Sequence, residues 1–242
     1  MVDVYCYSLK TSEEKYLTTV ESFNTDNACF SKDGTVYIPL DDMELEKNKN
    51  GEINYCVIVG DKVRENIKTE IVYKLGDKSY TIRGYNRNDL YCIDGEKRYS
   101  MEEEVAYGEK TLIPCDKGIL IHNDGEDNLL YLIDETGNVQ SLFEIECMIS
   151  ESSVNVYQNT VFLSFKRFEK HGEFGVLEYE NDTIQGTYRI DLNDGSATKI
   201  SDRMYRGLYI WGEDVIYAVD FDDQIFQLDF EGNVIEELLV KR

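Results

Sequence analysis

One short motif recurs along this chain and constrains its fold more than any other feature. Each copy consists of alternating apolar residues, a turn built from Asp, Asn or Gly, and a second short alternating run. The clearest pair is LYLIDETGNV at 130–139 and IFQLDFEGNV at 225–234. A period of two places alternate side chains on one face of a strand, and Gly supplies the positive φ of a tight turn. The motif therefore predicts a β-hairpin at each copy.

The copies are spaced in a way that indicates a repeat fold. Six of them carry an aromatic residue near the start of the hairpin, at Tyr5, Tyr55, Tyr91, Tyr131, Tyr188 and Phe226. These positions are 50, 36, 40, 57 and 38 residues apart, and about 40 residues is the period of a four-stranded propeller blade. The chain also has 18 Tyr and 10 Phe but only two Pro, a composition that favours strands.

Two further strand-like runs precede each of the last five hairpins, and Gly and Asp turns join them. The sequence therefore predicts an all-β chain, a single β-propeller domain over 1–242 with six blade positions and an incomplete first blade. The predicted elements are an outer hairpin at 2–20 and four-stranded antiparallel blades at 22–68, 69–109, 110–147, 148–203 and 204–242. A five-bladed ring and a twisted antiparallel sandwich are the alternatives. The inner strands of the first blade are expected to be missing or supplied by a partner.

The repeat resembles bacterial propellers of an uncharacterised family related to the YWTD propeller of lipoprotein receptors. Its blades typically end with a Tyr-x-Ile/Leu-Asp hairpin, as in Tyr131–Asp134 and Tyr188–Asp191. In the last predicted blade, Tyr217-Ala218-Val219-Asp220 keeps the Tyr and Asp of the YWTD signature but not its middle pair. The resemblance implies a propeller, usually of six blades, and no definite activity.

The net charge of −23 restricts the partners of this chain. Such a charge repels phosphate backbones and anionic membranes, so neither nucleic acid nor a membrane is an expected partner. A protein or small-molecule ligand, cationic in the sharper interpretation, is expected instead, and the chain is expected to be a monomer. Without a signal peptide or an apolar run of membrane-spanning length, a cytoplasmic location is expected. An extracellular location is the alternative if a signal peptide has been removed.

No recognised catalytic or cofactor motif occurs in the sequence. The only histidines are His122 and His171, and His122 is interpreted as a residue at the edge of a turn. The six cysteines lack the clustered spacing of a zinc site, so reduced thiols are the simplest interpretation, with disulfides left open. Acidic clusters such as 220–223 are interpreted as solvated loops. No catalytic residue, metal site or cofactor is therefore predicted.

Two insertions between the second and third strands of a blade are the candidate binding elements, at 41–52 and 166–186. In a meandering blade these connections emerge on one face, and extra loop length on one face often marks a binding surface. With six blade positions, the two insertions would lie across the central channel from one another. The candidate ligand-binding residues are the aromatic, histidine and acidic side chains Phe168, His171, Phe174, Tyr179, Asp42 and Glu44.

These observations favour a non-catalytic binding module that recognises a protein or a small ligand on its loop face. A carbohydrate-active enzyme that uses carboxylates facing the channel is one alternative. An acidic inhibitor that mimics nucleic acid toward a basic protein is a second alternative. Activity on glycans would favour the enzyme, and loss of partner binding in moderate salt would favour the inhibitor.

Overall fold

The computed structural model describes residues 1–8, 13–21, 29–30, 35–40, 53–83, 89–105, 108–124, 130–145, 149–171, 175–178, 184–210 and 215–238. Within these ranges the secondary structure consists of strands and turns, without a helix. The chain divides into two compact units, Met1–Met101 and Glu102–Arg242, which are described separately. The prediction of a single domain over 1–242 stays a prediction.

The first unit contains three antiparallel sheets. Sheet 1 pairs two strands, β1 (Val2–Ser8) and β2 (Glu13–Val20). Sheet 2 contains β3 (Cys29–Phe30), β4 (Val36–Pro39), β5 (Ile53–Val59) and β6 (Lys62–Thr69). Sheet 3 contains β7 (Tyr73–Leu75), β8 (Lys78–Arg83), β9 (Asp89–Asp94) and β10 (Lys97–Ser100). In sheets 2 and 3 each strand pairs with the next strand along the chain.

Sheet 1 packs on sheet 2 through one face only. The register of β1 and β2 shifts between Val4 and Tyr5, because Val4 pairs with Thr18 and Tyr5 pairs with Tyr16. This bulge leaves Leu17 unpaired and lets it join Val4 against sheet 2. Apolar side chains from the two sheets form one cluster there, namely Val4, Leu17, Val20, Val36, Ile38, Leu40, Cys56, Ile58 and Val63.

The second unit also contains three antiparallel sheets. Sheet 4 contains β11 (Glu109–Cys115), β12 (Gly118–Asp124), β13 (Leu130–Asp134) and β14 (Val139–Phe143). Sheet 5 contains β15 (Ile149–Tyr157), β16 (Thr160–His171), β17 (Gly175–Glu178), β18 (Gly186–Asp191) and β19 (Ala197–Ser201). Sheet 6 contains β20 (Gly207–Ile210), β21 (Ile216–Val219), β22 (Ile225–Leu228) and β23 (Val234–Leu238).

Alternation along the first strand of sheet 5 explains how sheets 4, 5 and 6 pack. Val154 and Val156 on β15 face sheet 4, where they join the cluster that contains Leu120 and Leu132. The intervening residues face sheet 6: Ser153 Oγ accepts a hydrogen bond from Leu208 N at 2.9 Å, and Asn155 Nδ2 donates to Leu208 O at 2.9 Å. The period of two thus builds an apolar layer on one side of β15 and polar links on the other.

The described strands confirm the predicted fold class. One two-stranded hairpin is followed by five sheets in which four antiparallel strands pair in chain order, which is the blade pattern of a β-propeller. Among the hairpin aromatics, Tyr55, Tyr131 and Phe226 are buried. Tyr5 is an exception, since its side chain is 50% exposed.

The structure corrects the interpretation of 166–186 as a loop. Strand β16 runs on to His171, and β17 pairs back onto it with Phe168 opposite Glu178 and His171 opposite Gly175. KRFEKH contains a single apolar residue and no alternating pattern, so the extension of the strand is defined by its pairing with β17. The paired segments 168–171 and 175–178 are called the ribbon below.

Candidate functional site

The predicted site residues are not brought together by the described part of the chain. Phe168 and His171 lie on β16, at the two ends of the segment that pairs with β17. Phe174, Tyr179, Asp42 and Glu44 lie outside the described residues, as does the whole insertion at 41–52. The placement of the two insertions across a channel therefore stays a prediction.

The base of the ribbon contacts the neighbouring sheet. Lys166 is paired with Glu151 in sheet 5, and its Nζ lies 5.2 Å from the centroid of the Phe221 ring, between β21 and β22 of sheet 6. A cation over an aromatic face is attracted by the ring quadrupole. Phe221 is 37% exposed, so the contact leaves part of the ring open to solvent.

Phe221 is held by the turn that carries it. Asp220 Oδ1 accepts hydrogen bonds from the backbone N–H groups of Asp222 and Gln224, both at 2.9 Å. In this Asx-type turn, the Asp side chain fixes the connection by accepting hydrogen bonds from backbone N–H groups that do not take part in strand pairing. Asp223 then forms an ion pair with Arg206, on the segment between β19 and β20.

A buried polar network anchors the segment that carries Arg203 and Arg206. Ser164 and Thr187 are fully buried and face one another across β16 and β18. The backbone N–H of Tyr205 donates to Ser164 Oγ at 2.7 Å, and Thr187 Oγ1 donates to the Arg203 carbonyl at 2.8 Å. The guanidinium of Arg203 stacks 4.8 Å from the centroid of the Phe226 ring. Because these bonds are buried, they fix the backbone under the exposed cations.

Together these residues define one surface at the end of sheets 5 and 6. We call it the ribbon-base surface, and it comprises Lys166, Arg203, Arg206, Phe221 and Asp223. Three cations, one half-open aromatic ring and one carboxylate can contact a partner by ion pairing and by stacking. The sequence identifies 166–186 as a candidate binding insertion and 220–223 as an acidic loop. No feature of either segment predicts that the two are in contact.

A histidine and a serine meet at the neighbouring boundary between sheets 4 and 5. His122 Nε2 lies 2.8 Å from Ser152 Oγ, with His122 on β12 rather than in a turn. Burial lowers the pKa of His122 to about 4. An imidazole with that pKa is neutral near pH 7 and a weak general base, so the pair serves as a link between sheets.

The turn carboxylates are occupied by their own turns. Asp134 Oδ1 accepts from the Thr136 hydroxyl and from the backbone N–H of Asn138, and Asp229 Oδ1 accepts from the backbone N–H groups of Glu231 and Asn233. Hydrogen bonds from Thr136 lower the pKa of Asp134, and the Asn233 side chain lowers that of Asp229. These carboxylates therefore stay ionised and are engaged in local structure.

The described part of the molecule does not form a metal site. Where the structure describes the chain, no three His, Cys, Asp or Glu side chains converge on a position that could hold a metal ion. Cys6, Cys56, Cys92 and Cys115 are free thiols, and burial raises the pKa of Cys56 and of Cys115. An open depression of 510 Å³ lies at the opposite end of sheets 4 and 5, lined by turn residues Asp116, Lys117, Asp134, Glu135, Thr136 and Asn159.

No membrane-spanning helix is found among the residues that the structure describes. No protein-family model matches the sequence, and no curated protein matches it.

Solved structures with a similar fold are propeller-type proteins. The β-propeller domain of the trilobed protease from Pyrococcus furiosus, described as having an open velcro topology, is similar over 97% of this chain and 75% of that one, with a TM-score of 0.53 and 16% identity. Hsv2 from Kluyvelomyces marxianus is similar over 87% of this chain, with a TM-score of 0.52 and 10% identity. BamB from Moraxella catarrhalis is similar over 87% of this chain, with a TM-score of 0.47 and 10% identity. This chain spans 60% of the BamB chain and 64% of the Hsv2 chain. At these identities the two similarities with a TM-score above 0.5 show the β-propeller fold alone.

Proposed function

We propose that the chain is a non-catalytic binding module whose protein partner docks on the ribbon and the ribbon-base surface. The observation that carries this proposal is the extension of β16 beyond its sheet to pair with β17, directly beside the contact of Lys166 with Phe221. A strand pair that leaves the repeat adds surface without contributing to the four-stranded pairing of the sheet. Such additions to a rigid scaffold are where binding residues concentrate.

The chemistry of this surface favours binding over catalysis. Lys166 contacts the Phe221 ring, and the guanidinium of Arg206 forms an ion pair with the carboxylate of Asp223. Cations beside a partly exposed ring fit a partner that presents carboxylates and apolar side chains.

We also infer a relation to the YWTD-type propellers of lipoprotein receptors. It is supported by the Tyr-x-x-Asp segments at Tyr131–Asp134 and Tyr188–Asp191, which lie on β13 of sheet 4 and β18 of sheet 5. Homologues that carry a complete Tyr-Trp-Thr-Asp at the positions of 217–220 would support the relation. Homologues without Tyr and Asp at those positions would contradict it.

Deletion of 168–182 tests the proposed function. The pairing of Thr160–Phe165 with β18 lies outside the deletion, so the β-sheet circular dichroism spectrum and a cooperative melt should be retained. Proteins cross-linked to the wild type in an extract of the source organism should be lost from the deletion variant. Lys117→Ala, at the opposite end of the sheets, is the matched control and should retain them.

Point variants separate the surface from the ribbon. Phe221→Ala and Arg206→Ala should each weaken binding of the cross-linked partner by about tenfold, as for interface anchors.

An unchanged set of bound proteins in the deletion variant would rule out this site. Hydrolysis of an oligosaccharide by the wild type would favour the carbohydrate-active enzyme instead. Binding that moderate salt abolishes equally in all variants would favour the acidic inhibitor.

A further inference from the structure

The outer face of sheet 1 presents two tyrosines at a position that is covered elsewhere in the chain. Tyr5 and Tyr16 pair across β1 and β2, and their side chains are 50% and 52% exposed. Two of the corresponding hairpin aromatics pack on the preceding sheet: Tyr188 joins the cluster shared by sheets 4 and 5, and Phe226 joins Phe162 of sheet 5. Tyr5 thus occupies the repeat position at which Tyr188 and Phe226 contact a neighbouring sheet, but its own side chain is half exposed.

Hydrogen bonds and ring packing hold this face in one arrangement. The rings of Tyr5 and Tyr16 meet edge to face, with centroids 5.6 Å apart. Thr19 Oγ1 donates to Asp3 Oδ1 at 2.6 Å, so the Tyr16 hydroxyl, 2.7 Å from Thr19 Oγ1, is the donor in that second contact. Because a fixed pair of aromatic rings loses little side-chain entropy on binding, this face is preorganised for a partner.

The charges around the rings select the partner. Asp3 lies two residues before Tyr5 and Glu14 two residues before Tyr16, so strand alternation places both carboxylates on the side of the rings. Lys15 points to the other side, where its Nζ pairs with Asp61 at 2.9 Å. The face therefore carries aromatic rings and carboxylates, within a chain of net charge −23.

We propose that this face, formed by Asp3, Tyr5, Glu14, Tyr16 and Thr19, is a docking surface for an arginine-bearing segment of a basic protein. A guanidinium stacks on a tyrosine ring and at the same time donates hydrogen bonds to a carboxylate. The two carboxylates flank the ring pair, so an extended segment with arginine at alternate positions meets both kinds of group. The net negative charge of the chain speeds its encounter with such a partner.

Titration with short peptides tests the surface directly. The probes are a peptide with arginine at alternate positions and a counterpart with glutamate at the same positions. Binding of each peptide is followed by changes in the amide and tyrosine ring signals of the protein in NMR spectra. The arginine peptide should shift the signals of Tyr5 and Tyr16, and the glutamate peptide should not. Tyr5→Ala and Tyr16→Ala should each weaken the affinity by about tenfold, the effect of losing one desolvated cation–π contact.

Two further variants keep the test decisive. Glu14→Lys reverses one charge without touching the ring pair and should also weaken binding, even if a tyrosine variant fails to fold. Tyr99→Ala is the matched control, because Tyr99 is 49% exposed on β10 but has Lys97 beside it on the same face. Equal affinity in wild type, Tyr16→Ala and Glu14→Lys would overturn the proposal. It would also be overturned by concentration-dependent dimers that Tyr16→Ala abolishes, because the occupant would then be a second copy.

Discussion

His122 Nε2 and Ser152 Oγ lie 2.8 Å apart across the boundary between two neighbouring sheets. Beside this pair, Leu120 and Leu130 of sheet 4 belong to one apolar cluster with Leu163 and Phe165 of sheet 5. The protonated imidazole could still donate to Ser152 Oγ, but burial disfavours its positive charge beside this apolar layer. This makes the boundary between sheets 4 and 5 sensitive to pH.

We expect acidification to destabilise the protein through His122. Burial lowers its pKa from 6.5 to about 4, so below pH 6.5 the unfolded chain binds a proton that the folded chain does not. Stability is therefore fully present above pH 6.5 and falls progressively as the pH drops toward 4. A pKa shift of this size corresponds to a loss of at most roughly 3 kcal/mol in the free energy of unfolding. Urea unfolding at intervals between pH 7 and pH 4 measures the loss.

His122→Gln is the variant that isolates this effect. Glutamine can still hydrogen-bond Ser152 through its amide, but it does not titrate. Its stability should therefore depend much less on pH between 6.5 and 4 than that of the wild type. Parallel stability curves for the two proteins would show that His122 is not the titrating group.

Gly118 begins β12 in a conformation and a space that only glycine fits. Its φ is +145°, and an added Cβ would lie 1.9 Å from the carbonyl oxygen of Ile133 on β13. Gly118→Ala should destabilise the fold by at least about 2 kcal/mol, because backbone strain and overpacking add. Gly60→Ala is the control: Gly60 has φ +62°, but a Cβ there meets nothing within 4 Å. Chemical denaturation should show the larger loss for Gly118→Ala, and equal losses would exclude the steric explanation.

Much of the sheet structure could be predicted because it is encoded locally. The motif at 130–139 becomes β13, a turn and β14, and its second copy becomes β22, a turn and β23. In each copy the Asp caps its own turn through residues two and four positions later. Because such contacts join residues a fixed number of positions apart, a single sequence is enough to predict them.

Contacts between sheets could not be predicted in the same way. Lys166 meets Phe221 from a distant part of the sequence, and His122 meets Ser152 only because β12 of sheet 4 packs beside β15 of sheet 5. The ribbon was missed for another reason. The residues KRFEKH lack the apolar alternation of a strand, and the extra length of 166–186 relative to the repeat favoured the loop interpretation.

The bidentate ion pair of Arg98 with Glu70 should contribute more to stability than a fully exposed pair, because the Glu70 side chain is only 13% exposed. Arg98 Nη1 and Nη2 each donate to Glu70 at 2.8 Å, and the fully buried Thr81 adds a hydrogen bond to the same carboxylate at 3.0 Å. Arg98→Lys cannot form two parallel bonds, so it should cost about 1 kcal/mol.

The exposed pair of Lys15 and Asp61 provides the comparison. Both side chains are more than half exposed, and Lys15→Met should leave the urea midpoint unchanged within error, because solvent screens the pair. If Arg98→Lys were equally silent, the bidentate pair with Glu70 would contribute no stability.

The Asp229 turn should contribute to stability through both its own geometry and the neighbouring sheet. The Asp229 carboxylate accepts from the backbone N–H groups of Glu231 and Asn233, and the turn packs on sheet 5, where an added Cβ at Gly232 would lie 2.6 Å from the Ile200 carbonyl oxygen. Asp229→Ala removes the acceptor and should cost on the order of 1 kcal/mol in urea unfolding, as for other side-chain caps.

The isosteric variant Asp229→Asn separates hydrogen bonding from charge. Its amide oxygen can still accept the two backbone hydrogen bonds, so near pH 7 it should lose less stability than Asp229→Ala. The Asn233 side chain lowers the pKa of Asp229, so its contribution is present above the ordinary carboxyl pKa and is lost as the pH falls through the lowered folded value. Asp229→Asn should therefore show a shallower loss of stability below pH 4 than the wild type, outside the His122 window. If Asp229→Asn were as unstable as Asp229→Ala at pH 7, charge rather than turn geometry would be the main contribution of this residue.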